Sequence, residues 1–242
     1  MEKLILTCEH CKNYVLYCCA CSRKESKDLE QPCHHYRLIF TDGACKNNGA
    51  ANGTAGTGIA FGKNEVSQIS GPVTSAMDSN QKRTSQRAEL LAAVYGLRFI
   101  AKTHQFSGEA EKADGIVRKK KSKSREPDNV WIITSDSEYL VKGMTEWLPA
   151  WKVSSNSPTP HCRTQLTGLS QNNNMRNGQN KRPTNIDLFI RLDELINKYE
   201  KKRDVKIGFW HVPRKYNDIA DGLAKKAALE GEPCVVGHAM TE

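Results

Sequence analysis

The order of the apolar segments does most to limit what this chain can fold into: three short strands come first, then helices alternating with two more strands. Residues 37–41 (RLIFT) read as a buried strand that ends at an Asp42-Gly43 break. Residues 57–61 and 66–69 read as two further strands, with a Gly62-Lys63-Asn64 turn making them a hairpin. Residues 85–102 place Leu90, Val94, Leu97 and Ala101 on one helical face. Residues 130–134 (VWIIT) form another buried strand, and 137–151 a helical stretch. Residues 186–201 are a helix, 205–211 a fifth strand and 218–230 a closing helix. The fold class is therefore α/β: a five-stranded mixed sheet flanked by helices, with an antiparallel start and crossover helices afterwards.

Two polar stretches, at about 105–129 and 152–184, interrupt this pattern. The first contains the basic run RKKKSKSR at 118–125, and the second has no acidic residue, so both read as long loops. The chain divides into a Cys/His-rich segment at 1–35 and a domain at 36–242 that carries both insertions. Of 242 residues 38% are hydrophobic, and no apolar run approaches the roughly 18 residues a spanning helix needs. The opening residues are too short for a secretory signal, so the expectation is a soluble intracellular protein, nuclear or cytoplasmic, with no membrane partner. The net charge of +9 favours a polyanionic partner.

Six of the nine cysteines lie within the first 33 residues. Without a secretion signal such clustering points to a metal rather than a disulfide framework. Cys8, Cys11, Cys18 and Cys21 form two CxxC pairs whose thiolates could wrap a structural Zn²⁺, with Cys33 or His34 as a substitute ligand because the linker between the pairs is short. The other reading is a disordered thiol-rich tail.

Four acidic residues stand where strands end or helices run: Asp42 after the first strand, Glu89 on the first long helix, Asp136 after the fourth strand and Asp221 on the last helix. The carboxyl ends of strands are where α/β folds bind ligands. Gathered carboxylates resist full ionisation, and hard divalent cations such as Mg²⁺ or Mn²⁺ remove that cost. Two such ions can support in-line attack on phosphorus. Each acid also has an ordinary structural reading as a turn, cap or surface residue.

The stretches TDGACKNNG (41–49), TSQRAELLAA (84–93), TSDSEYLVKGMTEWLPAWK (134–152) and NDIADGLAKKAA (217–228) resemble type 1 ribonuclease H, in that family's order. NIDLFIRLDELI (185–196) and FWHVP (209–213) fit its late helix and last strand. The resemblance implies a ribonuclease H-like fold and an endonuclease that cuts the RNA strand of an RNA–DNA hybrid with two Mg²⁺ or Mn²⁺ ions. It makes Asp42, Glu89, Asp136 and Asp221 the metal-binding, catalytic set, and leaves Asp218 to helix-start chemistry. Asn48, Ser85 and Gln86 fall at positions that contact 2′-hydroxyls or bases. Thr84 and Asn185, with Lys82 or Arg83 nearby, match a pocket for a DNA phosphate. Tyr139 and Trp151 match rings lining the DNA channel, while Trp147 reads as core. The acid-free insertion stands where the family often has a basic handle.

Two departures stand out. The loop before the last helix is short and carries Arg214 and Lys215 instead of the family's His, and His211 lies on a strand. Ser85 replaces the usual Asn, which reduces the contacts available there. The chain is expected to act as a monomer. Two other readings stay open: a non-catalytic hybrid-binding protein with a decayed site, and a retroelement-derived nuclease domain. The Met1 start and short tail weigh against the second. Proofreading exonucleases are excluded, because Gly43 and Ala44 stand where a second strand acid is needed.

Overall fold

The computed structural model describes residues 1, 3–18, 33–79, 81–102, 129–155, 175–179, 181–203 and 205–231. Nearly all of the 105–129 interruption with its basic run, most of the 152–184 interruption, and Cys21 lie outside the described residues. One mixed sheet organises the rest. Strands β1 (Ile5–Thr7) and β2 (Tyr14–Leu16) form a hairpin ahead of β3 (Tyr36–Lys46), β4 (Thr54–Ala60) and β5 (Gln68–Pro72). Helix α1 (Ser85–Lys102) follows, then β6 (Val130–Ser135), α2 (Glu138–Lys142), a π-turn over Gly143–Trp147 and α3 (Leu148–Ser155). Helix α4 (Ile186–Arg203), β7 (Lys206–His211) and α5 (Asp218–Leu229) complete the chain. The five expected strands are present as β3 to β7, and the Cys-rich segment adds two more. No helix among the described residues is long and apolar enough to cross a membrane.

Strand β3 is the hub. It pairs antiparallel with β4 from Phe40 to Lys46 and parallel with β6 from Tyr36 to Phe40. Since β6 takes one edge at Arg37, β2 takes the other through Val15, continuing the line of β4. Side chains alternate faces along a strand. Ile39 accordingly joins a core with Leu90, Val94, Leu97, Trp131 and Phe189, while Leu38 and Phe40 join Tyr14, Val212 and Ala220 on the opposite face. The first face is covered by α1 and α4 and the second by α5, with Ile5, Tyr14 and Leu16 of the leader hairpin extending the second face.

The Asp42-Gly43 pair does not end the first strand. β3 runs on to Lys46 because β4 pairs with it along that whole length. Gly43 serves a different purpose: a Cβ there would come within 2.1 Å of the Ala88 and Glu89 backbone, so its absence lets α1 lie against the strand. Gly58, paired directly with Asp42, does the same on the other face, where a Cβ would lie 2.0 Å from the Ala220 carbonyl. These two close approaches bring Glu89 and Asp221 to Asp42 from opposite sides of the sheet. Gly58→Ala is expected to cost about 3 kcal/mol, the upper end for overpacking a rigid contact. Thermal unfolding would check it; an unchanged Tm would mean that α5 is not fixed by this contact.

One further expectation is corrected. Val66 is not in a strand but in a 3₁₀ turn over Glu65–Ser67, with its side chain 82% exposed. The helical stretch expected at 137–151 is present from Glu138 to Ser155, with a π-helical turn over Gly143–Trp147 in its middle, and at Gly143 a Cβ would come within 2.2 Å of the Phe189 ring.

Candidate active site

Four separate elements each bring one carboxylate to a cleft of about 400 Å³: Asp42 from β3, Glu89 from α1, Asp136 just after β6, and Asp221 from α5. Gly43, Ala44, Cys45, Ser85, Ser137, Arg214 and Lys225 complete its lining. The sequence placed all four acids near this end of the sheet, although Asp42 proves to be inside a strand rather than after it.

Three of the four carboxylates have a side-chain partner of their own. Ser137 caps α2 by accepting from the Leu140 N–H at 3.1 Å and donates to Glu89 Oε2 at 2.5 Å. Asn217, 1% exposed, donates through Nδ2 to Asp136 Oδ1 at 2.7 Å and to the Thr41 carbonyl at 3.2 Å. Asp221 accepts from Arg214 and, at 2.6 Å, pairs with Lys225. Asp42 has the least compensation. Burial and then the charge of Asp136 push its carboxyl up to about 7, with smaller contributions from Asp221 and Glu89. Burial also raises Glu89, against the Ser137 hydrogen bond. Burial lifts Asp221 too, but Lys225 and Arg214 outweigh it and hold that carboxyl below the usual range.

The donors around the cleft are carboxylate oxygens, the ligand type that suits Mg²⁺ or Mn²⁺. The raised Asp42 carboxyl is consistent with such a site: buried, and facing Asp136, Asp221 and Glu89, it would be favoured in its charged form by a cation held among them. Asp218 takes no part. It accepts from the Ile219 N–H at 2.9 Å and faces a separate, mostly apolar cavity beside Tyr14 and Tyr216.

Beside the cleft, Asn48 Oδ1 accepts from the Ser85 N–H at 3.1 Å, tying the turn after β3 to the start of α1. Gln86 and Lys82 are exposed on the same shoulder. Thr84 caps α1 by accepting from the Arg87 N–H at 3.3 Å, and Asn185, held at φ 57°, stands across from it. Asn185 donates to the Tyr139 hydroxyl, which in turn donates to the Thr184 carbonyl. Arg83 is not available to a phosphate: it is 2% exposed and donates to the Asp78 carbonyl at 2.8 Å.

Sequence reasoning passed over what holds Thr84 and Asn185 together. Arg87 donates to both Asp78 oxygens at 2.9 and 2.6 Å, to both Asp187 oxygens at 3.1 and 2.7 Å, and to Asn185 Oδ1 at 3.2 Å. The guanidinium thus links the segment before α1 to the start of α4. Ser137 and Asn217 were also missed, although both sit inside the quoted motifs. Trp147 is not core but half-buried. It stands 5.7 Å from Tyr139 and 6.4 Å from Trp151, and Phe189 backs the latter two rings at 5.5 and 5.7 Å.

In the loop before α5, Arg214 lines the cleft, whereas Lys215 packs its ammonium 4.8 Å over the Tyr216 ring and lines the other cavity. His211 ends β7 with Nε2 3.3 Å from the Asp136 carbonyl.

In the leader, Cys21 of the expected set lies outside the described residues, and the described candidate ligands fall into two groups. Cys8 and Cys11 gather with His34, and Cys18 gathers with Cys33 and His35.

A family model described as RNase H matches residues 34–229. A ribonuclease H of Dichelobacter nodosus (strain VCS1703A) is 30% identical over 190 residues, covering 78% of this chain and 89% of that protein. A ribonuclease H of Schizosaccharomyces pombe is 25% identical over 200 residues, covering 82% of this chain but 55% of its own length. Among solved structures, RNase H1 from Halobacterium salinarum NRC-1 aligns over 81% of this chain and 99% of its own, with a TM-score of 0.44 and 17% identity. With a model spanning most of the sequence, from the end of the leader to the last turn of α5, the chain belongs to the ribonuclease H family.

Proposed function

We propose that this chain hydrolyses the RNA strand of RNA–DNA hybrids at internal positions, using a pair of Mg²⁺ or Mn²⁺ ions held by Asp42, Glu89, Asp136 and Asp221. The observation that carries this reading is the convergence of four carboxylates from four elements on one cleft, where burial first and the charge of Asp136 next raise the Asp42 carboxyl. Bound there, the ions would supply an activated water and neutralise the charge on the leaving oxygen. The chain's own groups do the rest. Ser137 and Asn217 fix the rotamers of Glu89 and Asp136, so the ligands are set before any ion arrives.

Asn48, Ser85 and Gln86 then read the minor groove of the strand to be cut, where 2′-hydroxyls mark RNA. Thr84, Asn185 and Lys82 hold a phosphate of the DNA strand. Tyr139 and Trp151, joined by Trp147, offer flat rings to its sugars. A hybrid whose RNA is labelled at either end tests the internal cut: fragments of intermediate length are expected from both labels. Stepwise loss of mononucleotides from one end would overturn the endonuclease reading.

Arg214 takes over part of the task of the family's loop His, aiding departure of the product phosphate beside Asp221. Arg214→Ala is expected to lower kcat about tenfold, equivalent to ~1.4 kcal/mol. Lys215→Ala should leave it unchanged, because Lys215 faces the other cavity. Steady-state rates decide this, and an unchanged Arg214→Ala would remove the assignment.

A further inference from the structure

The leader does not extend away from the catalytic unit. Its hairpin joins the sheet, with Val15 fully buried and Tyr14 packed edge-on to Phe40 at 5.2 Å. Yet the secondary structure that holds it is slight. β1 and β2 are three residues each, and the ladder between β2 and β3 has a single registered pair, Val15 with Arg37, supplemented by a bridge from Asn13 to Gly62. Two-stranded hairpins of this length are marginal in water.

Chemistry at both ends of the hairpin supplies what the ladder lacks. The loop between β1 and β2 folds back as Lys12 N–H donates to the Cys8 carbonyl at 2.7 Å, with Lys12 at φ 57°, and this turn presents Cys8 and Cys11 together. His34, 23 residues on, brings Nε2 to 3.3 Å from Cys11 Sγ. Just past β2, Cys18 meets His35, with Sγ and Nδ1 3.9 Å apart, and Cys33 joins them. In each trio all the ligand atoms lie within 4.8 Å of one another. Neighbouring ligands on a tetrahedral Zn²⁺ are roughly 3.5–3.8 Å apart, from its bond lengths of about 2.3 Å to sulfur and 2.0 Å to nitrogen. Cys8, Cys11, Cys18 and Cys33 are thiols, so no disulfide already uses them. The arrangement is also duplicated. The adjacent histidines His34 and His35 go to different cysteine pairs, which a chance thiol–imidazole contact would not require.

We propose that the leader binds two divalent ions of the zinc class, one at Cys8, Cys11 and His34 and one at Cys18, Cys33 and His35, and that they fasten the hairpin to the strand that carries Asp42. Each trio fills three of four tetrahedral positions. In both, a histidine immediately before β3 is joined to cysteines of the hairpin or its flanks, so each ion closes a long loop onto the catalytic sheet. These ions are distinct from those of the carboxylate cleft, whose oxygen donors suit harder cations.

The test uses the full-length chain, loaded with Co²⁺ in excess Mg²⁺. Thiolate-to-cobalt charge-transfer absorption reports only cysteine-ligated ions, and is expected to saturate at two equivalents. Cys8→Ser with Cys11→Ser should remove one equivalent, and Cys33→Ser with His35→Ala the other. Should a variant fail to fold, zinc release from the unaltered protein on titration with an organomercurial gives the same count. Absence of the charge-transfer band, a single equivalent, or loss of both equivalents from either double substitution would overturn the two-site proposal.

Discussion

Asp42→Asn is expected to abolish hybrid cleavage and at the same time make the metal-free protein more stable. The first effect follows from removing a charged ligand at the centre of the cleft, and should exceed about 10³-fold in kcat/KM, or ~4 kcal/mol. The second follows from linkage. The carboxyl is pushed to about 7 in the folded chain, by burial first and by Asp136 next, whereas it titrates near 3.8 when unfolded. Between those values the folded state holds a proton that the unfolded state has lost, so stability falls as pH rises through that window. The full cost, on the order of 2–4 kcal/mol, is present above about pH 7 and absent well below pH 4. Substitution by a neutral amide removes it. Urea unfolding without divalent ions should therefore show Asp42→Asn ahead of the unaltered chain at pH 8 and the two nearly equal at pH 3.5. Saturating Mg²⁺ should stabilise the unaltered chain and narrow the gap. A variant less stable at pH 8 would mean that Asp42 is compensated by groups other than a bound cation.

The second large effect concerns Arg87. Its guanidinium is buried between Asp78 and Asp187, and Asp78 is itself only 5% exposed. Among the described residues, Arg87→Ala leaves the Asp78 carboxylate with the 3.6 Å contact to Arg83 as its one remaining ion pair, and removing one partner of a buried ion pair costs about 3–5 kcal/mol. A Tm lower by roughly 10 °C is expected for a domain of this size. The substitution also frees Asn185 from the position it shares with Thr84. KM for hybrid should therefore rise more than kcat falls, while Mg²⁺ affinity, set by the carboxylates, stays the same. Arg87→Lys should recover part of the stability, because a lysine keeps the charge without the double fork. Unchanged KM in a folded Arg87→Ala protein would remove the phosphate assignment of Thr84 and Asn185.

How much of this was legible in the sequence depends on where the information resides. Strand and helix order followed from periodicity, and the acids of the cleft could be named because they fall within contiguous motifs. The Asp42-Gly43 pair misled because it carries a turn signature, while the physical reason for Gly43 is a helix crossing 45 residues later in the chain. Ser137 and Asn217 lay in plain view, but their role depends on which carboxylate each meets, and spacing does not state that. Asp78 lies nine residues before Arg87 and Asp187 a hundred after it, and no local pattern joins them. The leader shows the same limit. The CxxC pairs were visible, yet β1 and β2 are too short to register as periodic, and the division of His34 and His35 between two cysteine pairs exists only in three dimensions.

The most direct measurement is cleavage of a labelled RNA–DNA hybrid in parallel with duplex DNA and duplex RNA, with Mg²⁺, with Mn²⁺ and with neither, alongside Asp136→Asn. Cutting confined to the RNA of the hybrid, dependent on the added ion and lost in Asp136→Asn, is the expected outcome. Hybrid that is bound but left whole with both metals would contradict it, and would make this a hybrid-binding protein whose carboxylate cleft no longer performs hydrolysis.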